Sequence, residues 1–526
     1  MYDIIRDMEI LKLLVLSVST TLLAAANAGA SAAPVLAPAT PESQGVSSRA
    51  IRRWIDFCEK KMRLHGFVIA RHGRTIAEGW WKPFGPDQTH MLYSHSKSFT
   101  SCAVGFLVDD GLLDLDARVI SFFPDKTPKN PSENLRQLRV RDLLTMNTGT
   151  KLADRMRSCG DLDWERAFLE NTFDYEPGTR FQYDSSATHM LACLVERVTG
   201  RKLMDFLKER LFDPIGIEKA WTTTSPTGRA CGGWGMNMTT REIARFAQFC
   251  LQEGRWGDRQ LLSREWMRLA TSRQTRSGWD GVNKLKNDDS YLGYGFQFWR
   301  TRHDAYRADG ALGQFSIVFP DKDTIVSLHA SQEDMQAELD AVSDILYPAL
   351  QDGVLAEDPE SVADLRARCA ALALPVVAGA AKPADGSFAA RATADGTTFA
   401  LKGEQKMLHL DDLRLKTTAD GGWELSFTGE CGRQVIPVGF GVWKTGSVRL
   451  QKENYEAIGA LVGDQPTATS GAWIAPDTFR AFTHLTGGVF TLETTIKLKD
   501  DGTASVAYAF WGKSSAEAKL EGRPRR

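Results

Sequence analysis

The chain has 526 residues, 43% hydrophobic and 25% charged, a globular composition long enough for two or three domains and too apolar for a disordered or fibrous protein. Lys and Arg number 64 against 66 Asp and Glu, a formal net charge of −2, so no basic footprint exists for nucleic acid or an anionic membrane surface. Small molecules or other proteins are the expected partners.

Residues 13–26, LLVLSVSTTLLAAA, form an apolar run too short to span a bilayer but suited to the core of a signal peptide. Small residues follow, Ala26-Asn27-Ala28 and Ala28-Gly29-Ala30, in the manner of a cleavage site. The expectation is a signal peptide over residues 1–30 and a periplasmic or secreted mature chain. The acidic flank of Asp3, Asp7 and Glu9 opposes it, and a membrane-anchoring or buried helix is the competing reading. No later stretch is apolar enough for stable membrane insertion.

A helix is predicted over 48–64, then a hairpin, GFVIA and RTIAEGWW, turning at His72-Gly73. A helix over 94–109 follows, and a helical turn over 140–146. Helices recur at 164–170, 189–199, 203–211 and 240–253, the last with a threonine cap. Strands return as YGFQFWRT, AYRADG, GQFSIVFP and TIVSLHAS, and a helix over 335–350 closes the unit. Strands at both ends of a helical middle predict an α+β fold: one antiparallel sheet flanked by helices, with an inserted helical region. Past residue 352 come a charged helix over 359–372, a Pro/Ala/Gly linker (PVVAGAAKPADG), and alternating runs such as KMLHLDDLRL, WELSFTG and VFTLETTIKL. The expected division is 40–351 for the first domain, 352–385 for helix and linker, and 386–526 for a smaller all-β accessory domain.

Eight cysteines in a chain of this length make no disulfide scaffold and include no C-x-x-C. Cys58, Cys102, Cys193 and Cys250 fall on apolar helix faces and read as small buried hydrophobes. Cys159 and Cys231 lie in loop-like sequence and are the candidate disulfide for an oxidising compartment. The nine histidines show no metal-ligand spacing, so neither metal nor cofactor is expected.

At the head of the 94–109 helix stands Ser94-His95-Ser96-Lys97, the only Ser-x-x-Lys in the chain. Three residues make nearly one helical turn, so hydroxyl and ammonium face the same way. A serine hydroxyl is a weak nucleophile until a base takes its proton, and a lysine serves if its surroundings favour the neutral amine. Alone the pattern is weak, and an ordinary capped helix is the competing reading.

Further segments agree with the functional reading: LYSHSKSFTSCAVGFLVDDGLLDLDARV, LRVRDLLTMNTGT, YEPGTRFQYDSSATHMLACLVERVTGRKL, LFDPIGI, GGWGMNMTTREIARFAQFCLQEGRW, YGFQFW and ADGALGQFSIVFP. With them the sequence resembles the penicillin-binding-protein-like serine hydrolases related to class C β-lactamases, over about residues 40 to 350. Its Ser-His-Ser-Lys-Ser core and its G-x-x-G-Q strand are most similar to the 6-aminohexanoate-dimer hydrolase and β-lactamase-like esterase branch. The resemblance implies that fold, with Ser94 as acylated nucleophile and Lys97 as its partner. It places Tyr183 where the family has its Tyr-x-Asn tyrosine, passing the proton as base and then acid; a half-buried aromatic is the plain alternative. Ser185 replaces the asparagine and offers one donor rather than an amide's two. The family's Lys-Thr-Gly strand aligns with Ala308-Asp309-Gly310, which lacks the cation that holds an anionic substrate group. Backbone N–H groups of Ser94 and Ala311 are the implied oxyanion hole, and Gly310 lets the strand approach.

Two literal matches are read as decoys: Lys444-Thr445-Gly446 as a turn of the β-domain, and Gly512-Lys513-Ser514 as a phosphate-loop ending without its earlier glycine. No G-x-S-x-G is present, against an α/β-hydrolase. The expectation is an exported serine hydrolase acting on small amides or esters. A β-lactamase or D-Ala-D-Ala peptidase is second, and a catalytically weak binding or sensor protein third. Loops over 154–163 and 274–290 would set specificity.

Overall fold

His72 and Gly73 adopt φ of 51° and 69°, the two-residue turn that matches the right-handed twist of paired strands, and they close the hairpin of Leu64–Arg71 and Arg74–Trp80. The computed structural model in which this is seen describes residues 35–525 apart from 152, 154–155, 157–159, 278–287, 406–407, 452–462 and 512–516. The 13–26 segment, Cys159 and Gly512-Lys513-Ser514 lie outside the described residues.

Leu64–Arg71 pairs antiparallel on its other side with Thr324–Ala330, Ile69 facing Val326, so both ends of the first domain share one sheet. The order continues through Gln314–Phe319, Tyr306–Gly310 and Trp299–Arg300, seven strands with only Ala37–Pro38 running parallel to its neighbour. Successive residues of Leu64–Arg71 serve opposite faces. Phe67 and Ile69 join a core with Ile51, Trp54 and Ile55 of the helix Ser48–Lys61, whose buried positions recur as i, i+3, i+4 and i+7. Val68 and Ala70 join the larger core with Ile243, Ala244 and Phe246 of Thr240–Leu251, a helix begun by a Thr239–Glu242 capping box. Through that core runs Ser96–Asp109, buried at every residue from Ser96 to Leu107, a helix enclosed on all sides at the centre of the domain, with its buried polar residues in the first two turns. Gly105 admits the Trp266 indole against it, where any Cβ would collide.

Three predicted elements are redrawn. The 94–109 helix begins as a tight turn, Tyr93–His95, before the α-helix starts at Ser96. Of YGFQFWRT only Trp299–Arg300 is strand, because Gln297 turns to φ 68° and sends its amide into the core, donating to Leu143 O and Leu144 O at 3.2 and 2.8 Å. The helix over 335–350 is α only for Met335–Ala341; wider and then tighter turns carry it past Pro348.

Pro359–Ala370 lies along Ser48–Lys61 with Val362 and Leu365 buried, and Arg368 Nε bonds Asp56 at 3.0 Å. The chain that follows is tied at both ends: Leu374 N–H donates to Lys82 O at 2.7 Å, and Ala380 exchanges backbone bonds with Trp473 at 2.8 and 3.0 Å. After one helix, Phe388–Asp395, ten antiparallel strands curl into a barrel-like sheet. One edge folds back onto the strand next to the other edge, where Gly439, just past Gly432–Val438, donates to Thr469 O and accepts from Gly471 N–H, at 3.1 and 2.9 Å. Lys444-Thr445-Gly446 opens a strand here rather than forming a turn, and Lys444 is paired with Asp420 at 2.7 Å. The barrel docks on the first domain: Met91 N–H donates to Gly487 O at 3.0 Å, and the Arg63 guanidinium lies 4.3 Å over the Trp511 ring.

Candidate active site

Ser94 sits in the Tyr93–His95 turn, and Tyr93 holds φ at 48°, a left-handed conformation that costs a non-glycine residue roughly 1–2 kcal/mol. One turn on, Lys97 is only 1% exposed. Its Nζ lies 3.0 Å from Ser94 Oγ, 3.1 Å from Ser185 Oγ and 2.7 Å from Gly233 O. An ammonium donates to all three of these oxygens. A neutral amine keeps N–H bonds to Gly233 O and Ser185 Oγ and turns its lone pair to the Ser94 hydroxyl, so the geometry suits both ends of a proton transfer. Ser185 opens the helix Ser185–Thr199, which starts four residues earlier than predicted because the buried Asp184 side chain caps it, accepting from Ser186 N–H at 2.8 Å.

The Tyr183 ring centroid is 4.8 Å from Lys97 Nζ, a cation–π contact, while the ring stacks on Trp299 at 5.4 Å and meets Tyr294 edge-on at 6.2 Å. Tyr183 is thus half-buried in an aromatic setting and next to the lysine at once. Burial pushes the Tyr294 phenol well above its ordinary range, so it stays neutral behind Tyr183. His95, although it follows Ser94, points into the core against Phe99, and burial pulls its imidazole down to about 3. It is not placed to serve as a base for Ser94.

Ser94, Tyr183, Trp299, Arg307, Asp309 and Ala311 line a cavity of about 380 Å³. Ser94 and Ala311 stand on adjoining wall segments, brought together by Gly310: a Cβ there would fall inside 3.0 Å of Leu92 O. Strand alternation sends Ala308 into the larger core, 2% exposed, rather than into the cavity, whereas Arg307 and Asp309 line it. This corrects the expectation built on the uncharged residue at 308. The cavity wall does hold a cation, Arg307, 3% exposed, but Asp309 engages its Nε at 2.8 Å and Arg300 O its Nη1 at 2.8 Å.

Ser94, Lys97, Tyr183 and Ser185 therefore converge, and Asp309, Gly310 and Ala311 form the facing wall. Ala308 does not join them. Cys231 is buried in a small cluster with Met156, Trp164 and Trp234, while Cys159 lies outside the described residues. Among the described residues no cluster of His, Cys, Asp or Glu is suited to a metal, and no helix is long and apolar enough to cross a membrane. Sequence reasoning missed Arg307 and Gly233. The i, i+2 spacing of Arg307 and Asp309 on one strand, and the glycine run Gly232-Gly233-Trp234-Gly235, were the available signals.

A buried lysine holding a serine hydroxyl at the floor of a cavity, on a helix threaded behind an antiparallel sheet, defines a serine hydrolase of the Ser-x-x-Lys class. A family model described as Beta-lactamase matches residues 55–347, more than half of the chain. The chain belongs to this family. It is 26% identical over 295 residues to 6-aminohexanoate-dimer hydrolase of Paenarthrobacter ureafaciens, an alignment covering 52% of this chain and 74% of that one. It is 31% identical over 168 residues to lovastatin esterase of Penicillium rubens, covering 27% of this chain and 42% of that one. Among solved structures, the octameric penicillin-binding protein homologue from Pyrococcus abyssi aligns over 90% of this chain and 99% of its own, with 14% identity and a TM-score of 0.46.

Proposed function

We propose that the protein is an exported hydrolase of small amides or esters working through an acyl-enzyme on Ser94. The observation that carries this is the buried Lys97 Nζ 3.0 Å from Ser94 Oγ at the cavity floor. As Ser94 Oγ attacks the substrate carbonyl, its proton passes to the Lys97–Tyr183 pair. The carbonyl oxygen, becoming an oxyanion, turns to the N–H groups of Ser94 and Ala311. The C–N or C–O bond then breaks as the pair hands the proton to the leaving amine or alcohol. Water attacks the acyl carbonyl, gives a proton back through the same pair, and restores the serine.

The cavity wall supports this substrate class. Tyr183 and Trp299 present aromatic surface, and the one nearby guanidinium among the cavity residues is engaged by Asp309, so an uncharged acyl group is better served than a carboxylate. Relatives named 6-aminohexanoate-dimer hydrolase and lovastatin esterase support this proposal. Export rests on the 13–26 run and its small-residue flank.

Turnover of a panel of p-nitrophenyl esters, short amides and D-peptides, with penicillin as a further arm, tests the proposal. Ester or amide turnover lost in Ser94→Ala is expected. A lasting penicillin adduct at high occupancy, without ester or amide turnover, would replace it with a penicillin-binding role.

A further inference from the structure

Two non-glycine residues with left-handed backbone flank the two candidate oxyanion donors: Tyr93 (φ 48°) immediately precedes Ser94, and Leu312 (φ 64°) immediately follows Ala311. In that conformation the Cβ crowds the following carbonyl, so each residue stays there only while its surroundings hold it. Within the first domain the Leu312 carbonyl accepts from Gln332 N–H at 3.1 Å and from Gln314 Nε2 at 3.0 Å, and the apolar surroundings that Leu312 and Tyr93 share are built mostly from the C-terminal domain. Tyr93, 4% exposed, is buried with Met91 in the hydrophobic cluster that contains Leu485, Val489 and Phe490, and Leu312 packs against the same cluster. Gly487 O, in the turn between the strands Thr478–Leu485 and Thr491–Leu498, accepts from Met91 N–H at 3.0 Å. The two flanking segments also touch each other directly, backbone against backbone, at Gly310 and Leu92 O.

We infer that the C-terminal barrel, through its 485–490 turn, clamps Tyr93 and Leu312 in their left-handed conformations and so fixes the Ser94 and Ala311 N–H groups in register for the oxyanion, an inference that rests on the acyl-enzyme reading of Ser94. Tyr93 and Leu312 are positioning residues: neither need touch substrate. The first domain carries the chemistry and the barrel sets its geometry, which gives the extension of the barrel's core to Met91 and Tyr93 a functional sense.

The test uses the full chain. Leu312→Ala removes the anchor but keeps a Cβ in the left-handed region, whereas Leu312→Gly removes the anchor and the strain together. Leu312→Ala is expected to lower kcat between about 10-fold and about 100-fold with KM within about twofold, a fraction of the loss that follows removal of an oxyanion donor. Leu312→Gly is expected to recover at least about threefold of that loss, and Val489→Ala, on the barrel side, to lower kcat in the same direction. Melting temperatures measured alongside keep assays below the onset of unfolding, and Val489→Ala carries the test alone if Leu312→Ala does not fold. Unchanged kcat in Leu312→Ala and Val489→Ala, or a glycine variant slower than the alanine one, overturns the inference. A wild-type chain that neither turns over esters nor takes a serine-reactive probe overturns the acyl-enzyme reading instead, so the two failures are distinct.

Discussion

Gly310→Ala separates the geometry of the candidate oxyanion hole from its chemistry. Gly310 lies outside the left-handed region, so alanine brings no backbone penalty and its effect is steric. The new Cβ would fall inside 3.0 Å of Leu92 O, a backbone atom two residues before Ser94, and 2.9 Å from Gln314 Cβ. Carbon and carbonyl oxygen in contact stand roughly 3.3 Å apart, so the strand end must retreat by about 1 Å. Such a displacement costs about 100-fold, and full loss of one donor about 100- to 1000-fold. The expected fall in kcat is therefore about 100- to 1000-fold, or about 3–4 kcal/mol of transition-state stabilisation, with KM little changed. Steady-state turnover of the best ester or amide measures it, with Gly85→Ala, whose Cβ would meet open space, as an unaffected control. A folded Gly310→Ala enzyme within about threefold of wild type would refute the placement of Ala311 beside Ser94 as a working pair.

Tyr183→Phe keeps the ring on Trp299 and over Lys97 but removes the hydroxyl; kcat should fall about 100-fold or more while the melting temperature stays within about 2 °C, and wild-type turnover would remove Tyr183 from the proton path. Arg307→Met leaves the Asp309 carboxylate, whose side chain is 13% exposed, without its partner in the cavity wall; denaturant unfolding should show a loss of about 3 kcal/mol, and a loss under about 1 kcal/mol would show Asp309 satisfied by other means. Acid should destabilise the fold early. Burial holds His90 down at about 4 and His484 at about 3, with His65 and His329 well below their ordinary value, so the unfolded chain binds protons first as pH falls. Their stabilisation is complete above about pH 6.5 and drains as pH falls from there, to about 4 for His90 and about 3 for His484, with His90 alone contributing a loss of about 2 kcal/mol by pH 5. Urea unfolding at pH 7, 6 and 5 reads it, and stability that holds steady or rises on acidification contradicts it.

Much of the architecture was legible because local rules and tertiary structure agree. The His72-Gly73 turn, the period-two strands around it and the i, i+3, i+4 face of Ser48–Lys61 all follow from spacing. The approach of Lys97 to Ser94 follows from one helical turn. What was not legible depends on register or on contacts distant in sequence. Which face of Tyr306–Gly310 meets the cavity is settled only when Ala308 pairs opposite Ser316, and that pairing brings Arg307 into the wall. Gly233 reaches Lys97 through its carbonyl, an atom every residue carries, so side-chain identity could not point to it. Gln297 broke a run that reads as strand because its amide satisfies carbonyls from another helix. The left-handed backbones of Tyr93 and Leu312 have no local signature, since neither residue type favours them, and both residues pack against an apolar core built mostly from a domain that lies beyond residue 385.

The central claim is that Ser94 carries the acyl group. Intact-mass measurement after incubation with a serine-reactive fluorophosphonate, followed by peptide mapping, tests it most directly. The expected result is one adduct per chain, mapped to the peptide containing Ser94, absent in Ser94→Ala and much slower to form in Tyr183→Phe. No adduct on the wild-type chain, or an adduct that persists in Ser94→Ala, would contradict it.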